Sequence, residues 1–185
     1  MTALRFTMAF HSPFRVGSAY ARDGVDAALD RHDPLPPDHI KGLMRAAAAG
    51  LLGLPGPHVD EVFGSPRSPS SWSWSSAQPE EQWAFSHRHR VTIDPGTRSA
   101  VKDHLVLGEQ AWARHAWFEI TQVGWLPPDR ASQHALILRG AASAVHSLGS
   151  WRRRGLGWVG VVPVDGPLSA DDAAALAQLS GEHYE

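Results

Sequence analysis

Apolar and polar residues alternate near the start of the chain, which predicts a β-strand from Leu4 to Phe10. The apolar residues at every second position share one face of an extended chain: Leu4, Phe6, Met8 and Phe10. The same pattern predicts three further strands, over residues 87–93, 117–125 and 158–164. The chain therefore has four segments that suit one β-sheet.

Apolar residues recur every three or four positions in two other segments, which predicts helices over 38–52 and 129–148. Asp38 follows two prolines and is a natural N-cap for the first helix. A capping box at Ser169–Asp172 predicts a short C-terminal helix. The order strand, helix, strand, strand, helix, strand predicts an α+β domain with the ferredoxin-like (RRM-like) βαββαβ arrangement over residues 1–185.

The segments between these elements predict insertions near 19–35, 64–86 and 94–109, followed by an acidic C-terminal tail over 165–185. The second insertion is rich in Ser and Pro and contains Trp72 and Trp74. Two Trp side chains at this spacing lie on one side of an extended segment. They are suited either to stacking on nucleic-acid bases or to packing against the body of the protein.

Composition narrows the functional classes only slightly. The 185-residue chain has no cysteine, which excludes disulfides and cysteine-based zinc sites. It has no signal-peptide pattern and no membrane-length apolar run, so we expect a cytoplasmic protein. The net charge of −2 argues mildly against nucleic-acid binding. However, five acids and no Lys or Arg follow position 164, so residues 1–164 carry a net charge of +3.

Two segments have the chemistry of anion-binding sites. In 148–157, closely spaced glycines allow backbone amides to approach a phosphate, and three consecutive arginines supply charge. In the first helix, Lys41 and Arg45 lie four residues apart on one face. Like charges at this spacing cost about 0.2–0.5 kcal/mol in an isolated helix, which an anion on that face would offset.

The residues of both segments resemble motifs of the repeat-associated mysterious protein (RAMP) superfamily, the RNA-binding subunits of CRISPR effector complexes. Residues 36–45, Pro-Pro-Asp-His-Ile-Lys-Gly-Leu-Met-Arg, resemble its Pro-Gly-Ser-Ser-Leu-Lys-Gly-x-x-Arg motif, with Gly-Ser-Ser replaced. Residues 148–157, Leu-Gly-Ser-Trp-Arg-Arg-Arg-Gly-Leu-Gly, resemble its C-terminal glycine-rich loop. Phe63-Gly64 resembles a third family motif.

The resemblance implies a set of RNA-binding residues in this chain. These residues come from four parts of the chain: a glycine turn after the first strand, the first helix, a "thumb" hairpin near 94–109 and the glycine-rich loop. The implied residues are Gly17, Ser18, His39, Lys41, Arg45, Arg98, Lys102, Trp151, Arg152, Arg153, Arg154, Gly155 and Gly157.

The acid-rich segment before the first helix has two interpretations. Its carboxylates suit a hard cation such as Mg²⁺, or they simply face solvent in a loop. In backbone subunits of type III effectors, one acid of the corresponding loop supports metal-dependent cleavage of target RNA. The resemblance assigns this role, and the metal, to Asp26, with Asp30 and Asp23 as alternatives.

The resemblance therefore implies a backbone-type or accessory subunit of a type III effector complex. Its partners would be CRISPR guide RNA, complementary target RNA, other effector subunits and further copies of itself in a filament. One alternative is the guide-processing endoribonuclease of the same superfamily, in which a histidine such as His11 or His39 acts as general acid–base. Another is an RNA-binding protein outside CRISPR immunity.

Overall fold

The structure, a computed structural model, describes residues 2–17 and 23–181. The strands are β1 Ala3–Phe10, β2 Trp72–Trp74, β3 Gln78–Pro79, β4 Ala84–Ile93, β5 Ala100–Trp112, β6 His115–Gln122 and β7 Val159–Pro163. The helices are α1 Pro37–Gly50, α2 Gly56–Phe63, α3 Pro128–Ser143 and α4 Ala170–Ser180, and a short 3-10 turn covers Arg152–Arg154.

The main sheet is antiparallel, with β1 at its centre between β6 and β7. Both β2 and β3 pair with the other edge of β6. Phe6 of β1 lies opposite Phe118 of β6, and the two rings stack with centroids 5.0 Å apart. A separate two-stranded sheet, the β4–β5 hairpin, projects from this body.

The core lies between one face of the main sheet and the helices α1 and α3. The inward-facing residues of β1, β6 and β7 alternate with exposed or half-buried residues, as the period-2 pattern predicts. Ile40, Met44 and Ala47 of α1 are buried against this face, and so are Ile137 and Leu138 of α3. The sheet and the helices thus share one apolar layer.

The predictions for β1, the strand at 117–125 and the last strand are confirmed, and so are both long helices and the Ser169–Asp172 capping box. Two helix ends differ. Helix α1 begins at Pro37, because proline suits the first helical position, and Asp38 is therefore not the N-cap. Helix α3 ends at Ser143, although Val145 and Leu148 are still buried from the loop that follows.

The predicted place of the strand at 87–93 in the main sheet is wrong. Those residues form part of β4, which pairs only with β5. The position beside β6 is filled by β2 and β3, from the segment 64–86 where we predicted an insertion. The pattern at 87–93 alternates His and Arg with few apolar residues, so this strand has little apolar surface to bury in a core.

The two tryptophans of β2 explain why this short strand belongs to the sheet. Trp72 and Trp74 are 3% and 8% exposed, while Ser73 between them faces solvent. The indole N–H of Trp72 donates to Nδ1 of His134 over 3.2 Å. Of the two alternatives left open for these side chains, packing against the body is therefore the one that applies.

The acidic C-terminal segment folds back as α4, whose Leu176 and Leu179 are buried near α3. Asp165 and Asp172 lie 3.7 Å from the guanidinium of Arg139 in α3. Among the described residues, no helix has the length and apolar character to cross a membrane.

Candidate nucleic-acid interface

The glycine-rich loop, residues 148–157, lies between α3 and β7 and forms a compact arch. Trp151 has a left-handed backbone conformation (φ 62°), and Arg152–Arg154 follow as a single 3-10 turn. Gly155 ends the turn with φ 79°. All three arginines are exposed, so their guanidinium groups extend from a fixed backbone turn.

Hydrogen bonds fix both ends of this arch to the segment that follows β1. The Ser150 N–H donates to the Arg15 carbonyl and the Gly157 N–H donates to the Pro13 carbonyl, each over 2.7 Å. The Leu148 N–H closes the base of the arch by donating to the Gly157 carbonyl over 2.8 Å. The loop is therefore preorganised rather than free to change shape.

Two glycines of the loop are required by these close contacts. A Cβ on Gly157 would lie 1.9 Å from the Leu148 carbonyl oxygen, and one on Gly149 would lie 2.4 Å from the Arg15 carbonyl oxygen. Both glycines also have positive φ. A Cβ on Gly155, in contrast, would meet no described atom within 4 Å, so the backbone there is open to an approaching ligand.

His39, near the start of α1, belongs to the same site. Its Nε2 accepts a hydrogen bond from the Gly149 N–H over 3.2 Å. Burial lowers the pKa of His39, and the nearby positive charge of Arg152 lowers it further. The ring is therefore held neutral, as an acceptor that joins α1 to the loop.

Trp151 connects the loop to the β4–β5 hairpin. Its ring lies so close to Gly108 of β5 that a Cβ at that position would be 2.2 Å from the indole. The guanidinium carbons of Arg15 and Arg90 lie 5.1 and 4.5 Å from the indole centroid. These distances are typical of cation–π contacts. One indole therefore joins the loop, the segment after β1 and the base of the hairpin.

The hairpin carries the predicted thumb residues at its far end. The Asp94 carboxylate accepts hydrogen bonds from the N–H groups of Gly96 and Thr97, and the bond from Thr97 lowers the pKa of Asp94 most. Arg98 lies in this turn with φ 55°, and Lys102 is exposed on β5. Both basic residues therefore lie toward the tip of the hairpin, beyond Gly108, on which Trp151 packs.

The acid-rich segment lies along the free edge of β5. Ala27 exchanges backbone hydrogen bonds with Leu107 and Glu109, and the Asp26 carboxylate accepts the Leu107 N–H over 2.7 Å. Asp30 instead accepts the N–H groups of His32 and Asp33, which makes a local turn. Asp23 is exposed.

Lys41 and Arg45 lie on a different face of α1 from His39. Lys41 Nζ is 5.0 Å from the Trp74 ring centroid. Arg45 donates to the Gly64 carbonyl and to the Asp60 carboxylate. These residues line a separate cleft of about 480 Å³ beside the Phe63-Gly64 turn. The structure therefore does not bring them together with the glycine-rich loop.

The predicted glycine turn is only partly described. Gly17 is exposed, and a Cβ there would lie 3.5 Å from the Arg15 guanidinium. Ser18 lies outside the described residues. Gly17 therefore follows the segment that holds the glycine-rich loop.

Comparison with known proteins gives the family. The RAMP superfamily profile matches residues 7–160, which include both 36–45 and 148–157. This chain belongs to the RAMP superfamily. No curated protein sequence matches it. The RAMP match ends within β7, so α4 lies beyond it.

Solved structures similar to this RAMP protein come from Type III-B Cmr-beta. One chain, from Cmr-beta bound to cognate target RNA, has a TM-score of 0.69 at 11% identity and covers 89% of this chain and 98% of its own length. Another, from the apo state, has a TM-score of 0.69 at 12% identity, with 88% and 97% coverage. At this identity, the similarity establishes a shared fold.

Sequence reasoning missed Arg15, Arg90 and Gly108 as parts of this RAMP site. The His-Arg-His-Arg run at 87–90 contained a signal, because Arg88 and Arg90 at alternate positions share one strand face. No sequence pattern indicated that Trp151 would pack on Gly108, since the two are far apart along the chain.

The burial of His39, with the charge of Arg152 nearby, predicts a pH dependence of stability. Since the folded protein disfavours protonated His39, its contribution to the free energy of unfolding is full above the ordinary histidine pKa of about 6.5 and is lost as the pH falls below it. His39→Gln removes this titration. We expect urea unfolding between pH 7.5 and 5 to show a smaller loss of stability for the variant.

The difference between variant and wild type isolates His39, because His134, whose pKa is also lowered by burial, is present in both proteins. Parallel pH profiles for the two proteins would show that burial and Arg152 do not lower the pKa of His39 in the folded protein.

Proposed function

We propose that this RAMP protein is a guide-RNA-binding, backbone-type or accessory subunit of a type III-like CRISPR ribonucleoprotein. The observation that carries the proposal is the rigid arch of residues 148–157, which presents three exposed arginines and an open backbone at Gly155. The RAMP profile and the fold shared with Cmr-beta chains support it.

The arch suits the sugar–phosphate backbone rather than the bases. Guanidinium groups bind phosphate oxygens in a bidentate manner, and such contacts position RNA without reading its sequence. A subunit that binds the guide in this way leaves its bases free to pair with a complementary target. Neighbouring effector subunits, including copies of this chain in a filament, add further phosphate contacts, which compensates for the near-neutral charge of one subunit.

The proposed architecture is a variant of the ferredoxin-like (RRM-like) domain. The four strands of a ferredoxin-like domain lie side by side in the order 4-1-3-2. The order β7–β1–β6, followed by β2 and β3, would correspond to it if β2 and β3 together act as the second strand of that domain. In this description β6 is the third strand of the domain, and the β4–β5 hairpin is an insertion before it. We propose that it acts as the thumb, at the junction of guide and target in the cytoplasmic complex.

The alternative role as a guide-processing nuclease needs a histidine available as general acid–base. His39 is committed to the Gly149 N–H, and its lowered pKa disfavours the protonated form needed by an acid. His11 lies against the Trp158 ring, with centroids 4.9 Å apart. The geometry therefore favours RNA holding over RNA processing.

A direct test replaces Arg152, Arg153 and Arg154 together by Gln. For single-stranded RNA, removing one cation that neutralises a phosphate reduces the slope of log affinity against log salt by about 0.7. We expect weaker binding of a repeat-derived guide RNA and a slope smaller by up to about 2, measured by fluorescence anisotropy at several salt concentrations.

The control removes three exposed arginines elsewhere, Arg67, Arg114 and Arg130, and so changes the net charge equally. Circular dichroism would verify that both triple variants are folded. Equal affinities and slopes for the two would mean that the arch does not hold RNA.

We further propose that Asp26 supports Mg²⁺-dependent cleavage of target RNA. Its exposed carboxylate is anchored through Oδ2 to the Leu107 N–H, whereas Asp30 is used in a local turn. The described residues offer no cluster of three or more potential ligands, so Asp26 fits Mg²⁺ only if RNA and water supply the other oxygens. A bound Mg²⁺ would stabilise the charge that develops on the scissile phosphate.

The substitution Asp26→Asn tests this role without removing the anchor, because the amide oxygen of Asn still accepts the Leu107 N–H. In the guide-loaded complex, we expect Asp26→Asn to abolish Mg²⁺-dependent target cleavage and to leave guide binding unchanged. Asp30→Asn is the matched control and should retain cleavage. Cleavage that persists in Asp26→Asn would assign the role to another residue or subunit.

A further inference from the structure

The two faces of the β4–β5 hairpin differ in charge near its base. One face carries the buried Glu109 carboxylate, which accepts hydrogen bonds from Arg31 and from the Leu29 N–H. The other face carries Gly108, Arg88 and Arg90, because residues paired across the two strands share a face. Trp151 packs on this second face, where its ring lies against Gly108.

A cleft of about 250 Å³ opens between this basic face and the glycine-rich loop. Arg90 and His104 line it from the hairpin, and Arg154 lines it from the loop. The part of the chain that the structure describes places no acid in the lining, which consists otherwise of Val91, Thr92, Ile93 and Val106. The cleft thus joins the arch to the hairpin by a positively charged surface.

The two arginines that flank Trp151 differ in how their donors are used. Arg15 donates to the carbonyls of Ala27 and Ala28 and to the Ser150 hydroxyl. The Nε of Arg90 is buried and has no hydrogen-bond partner among the described residues. A buried donor without an acceptor is costly, so a ligand that supplied an acceptor would stabilise Arg90.

The repulsion between the two arginines also favours a bound anion. Burial lowers the pKa of Arg15, and the positive charge of Arg90 lowers it further. An anion in the cleft would offset this repulsion, and a phosphate has enough oxygens to accept donors from two guanidinium groups.

We propose that Arg90 and Arg154 together bind one backbone phosphate of RNA as the strand passes from the glycine-rich loop onto the hairpin, and that Trp151 holds Arg90 in position. This inference rests on the proposed function and extends it, because it specifies the path of the strand beyond the arch. It also gives Trp151 a positioning role rather than a direct contact with RNA.

The test measures binding of a fluorescein-labelled fifteen-nucleotide uridine RNA to the full chain over a range of salt concentrations. Arg90→Gln and Arg154→Gln should each weaken binding roughly tenfold but change the salt slope little, because the remaining arginine still neutralises the shared phosphate. The double variant should reduce the slope by about 0.7, since that one phosphate is then no longer neutralised. Arg90→Lys should keep the slope but bind more weakly, because it retains the charge and loses the planar fork.

Arg114→Gln is the control, because Arg114 is exposed beyond the C-terminal end of β5, roughly 20 Å along the chain from Gly108. A double-variant slope reduced by about 1.4 would overturn the shared phosphate. Arg90→Gln binding like Arg114→Gln, while Arg152→Gln/Arg153→Gln binds weakly, would refute this cleft and leave the proposed function intact. No RNA binding by the wild-type chain would overturn both.

Discussion

Two backbone hydrogen bonds, from Ser150 to Arg15 and from Gly157 to Pro13, hold the glycine-rich arch against the segment that follows β1. This segment directly follows β1, the central strand of the main sheet, so the two bonds attach the arch to the packed core. A side chain at Gly149 would collide with the Arg15 carbonyl, and one at Gly157 would collide with the Leu148 carbonyl at the base of the arch. The position of every basic group on the loop therefore depends on backbone packing that only glycine allows.

The same segment also fixes the β4–β5 hairpin. Phe14 exchanges two backbone hydrogen bonds with Ala111 of β5, each 2.8 Å long, and Ala27 continues this pairing along the edge of the strand. The Trp151 indole also contacts both Gly108 of the hairpin and the Arg15 guanidinium. Residues 13–15 thus contact both the arch and the hairpin and hold the two next to each other.

Local sequence patterns were sufficient for most elements of this RAMP protein. Alternation predicted β1, and the capping box predicted the start of α4. The short strand at Trp72–Trp74 was missed because its serine-rich context is typical of loops, and only tertiary burial of the two indoles makes it part of the sheet. The same distinction between local sequence pattern and tertiary contact applies to the candidate site. The glycine–arginine loop could be recognised because its residues are contiguous in sequence. In contrast, Arg15, Arg90 and Trp151 belong to three separate segments, and only the fold brings the two arginines against the indole.

The proposed binding of guide RNA within an effector complex can be tested in the cell. The protein is tagged in its own host and purified gently, the bound RNA is sequenced and the bound proteins are identified. If the chain holds guide RNA, repeat-derived guide RNAs should copurify with it together with other effector subunits. Recovery of the folded protein with neither RNA nor partners would contradict it, and the arch would then need another anionic ligand.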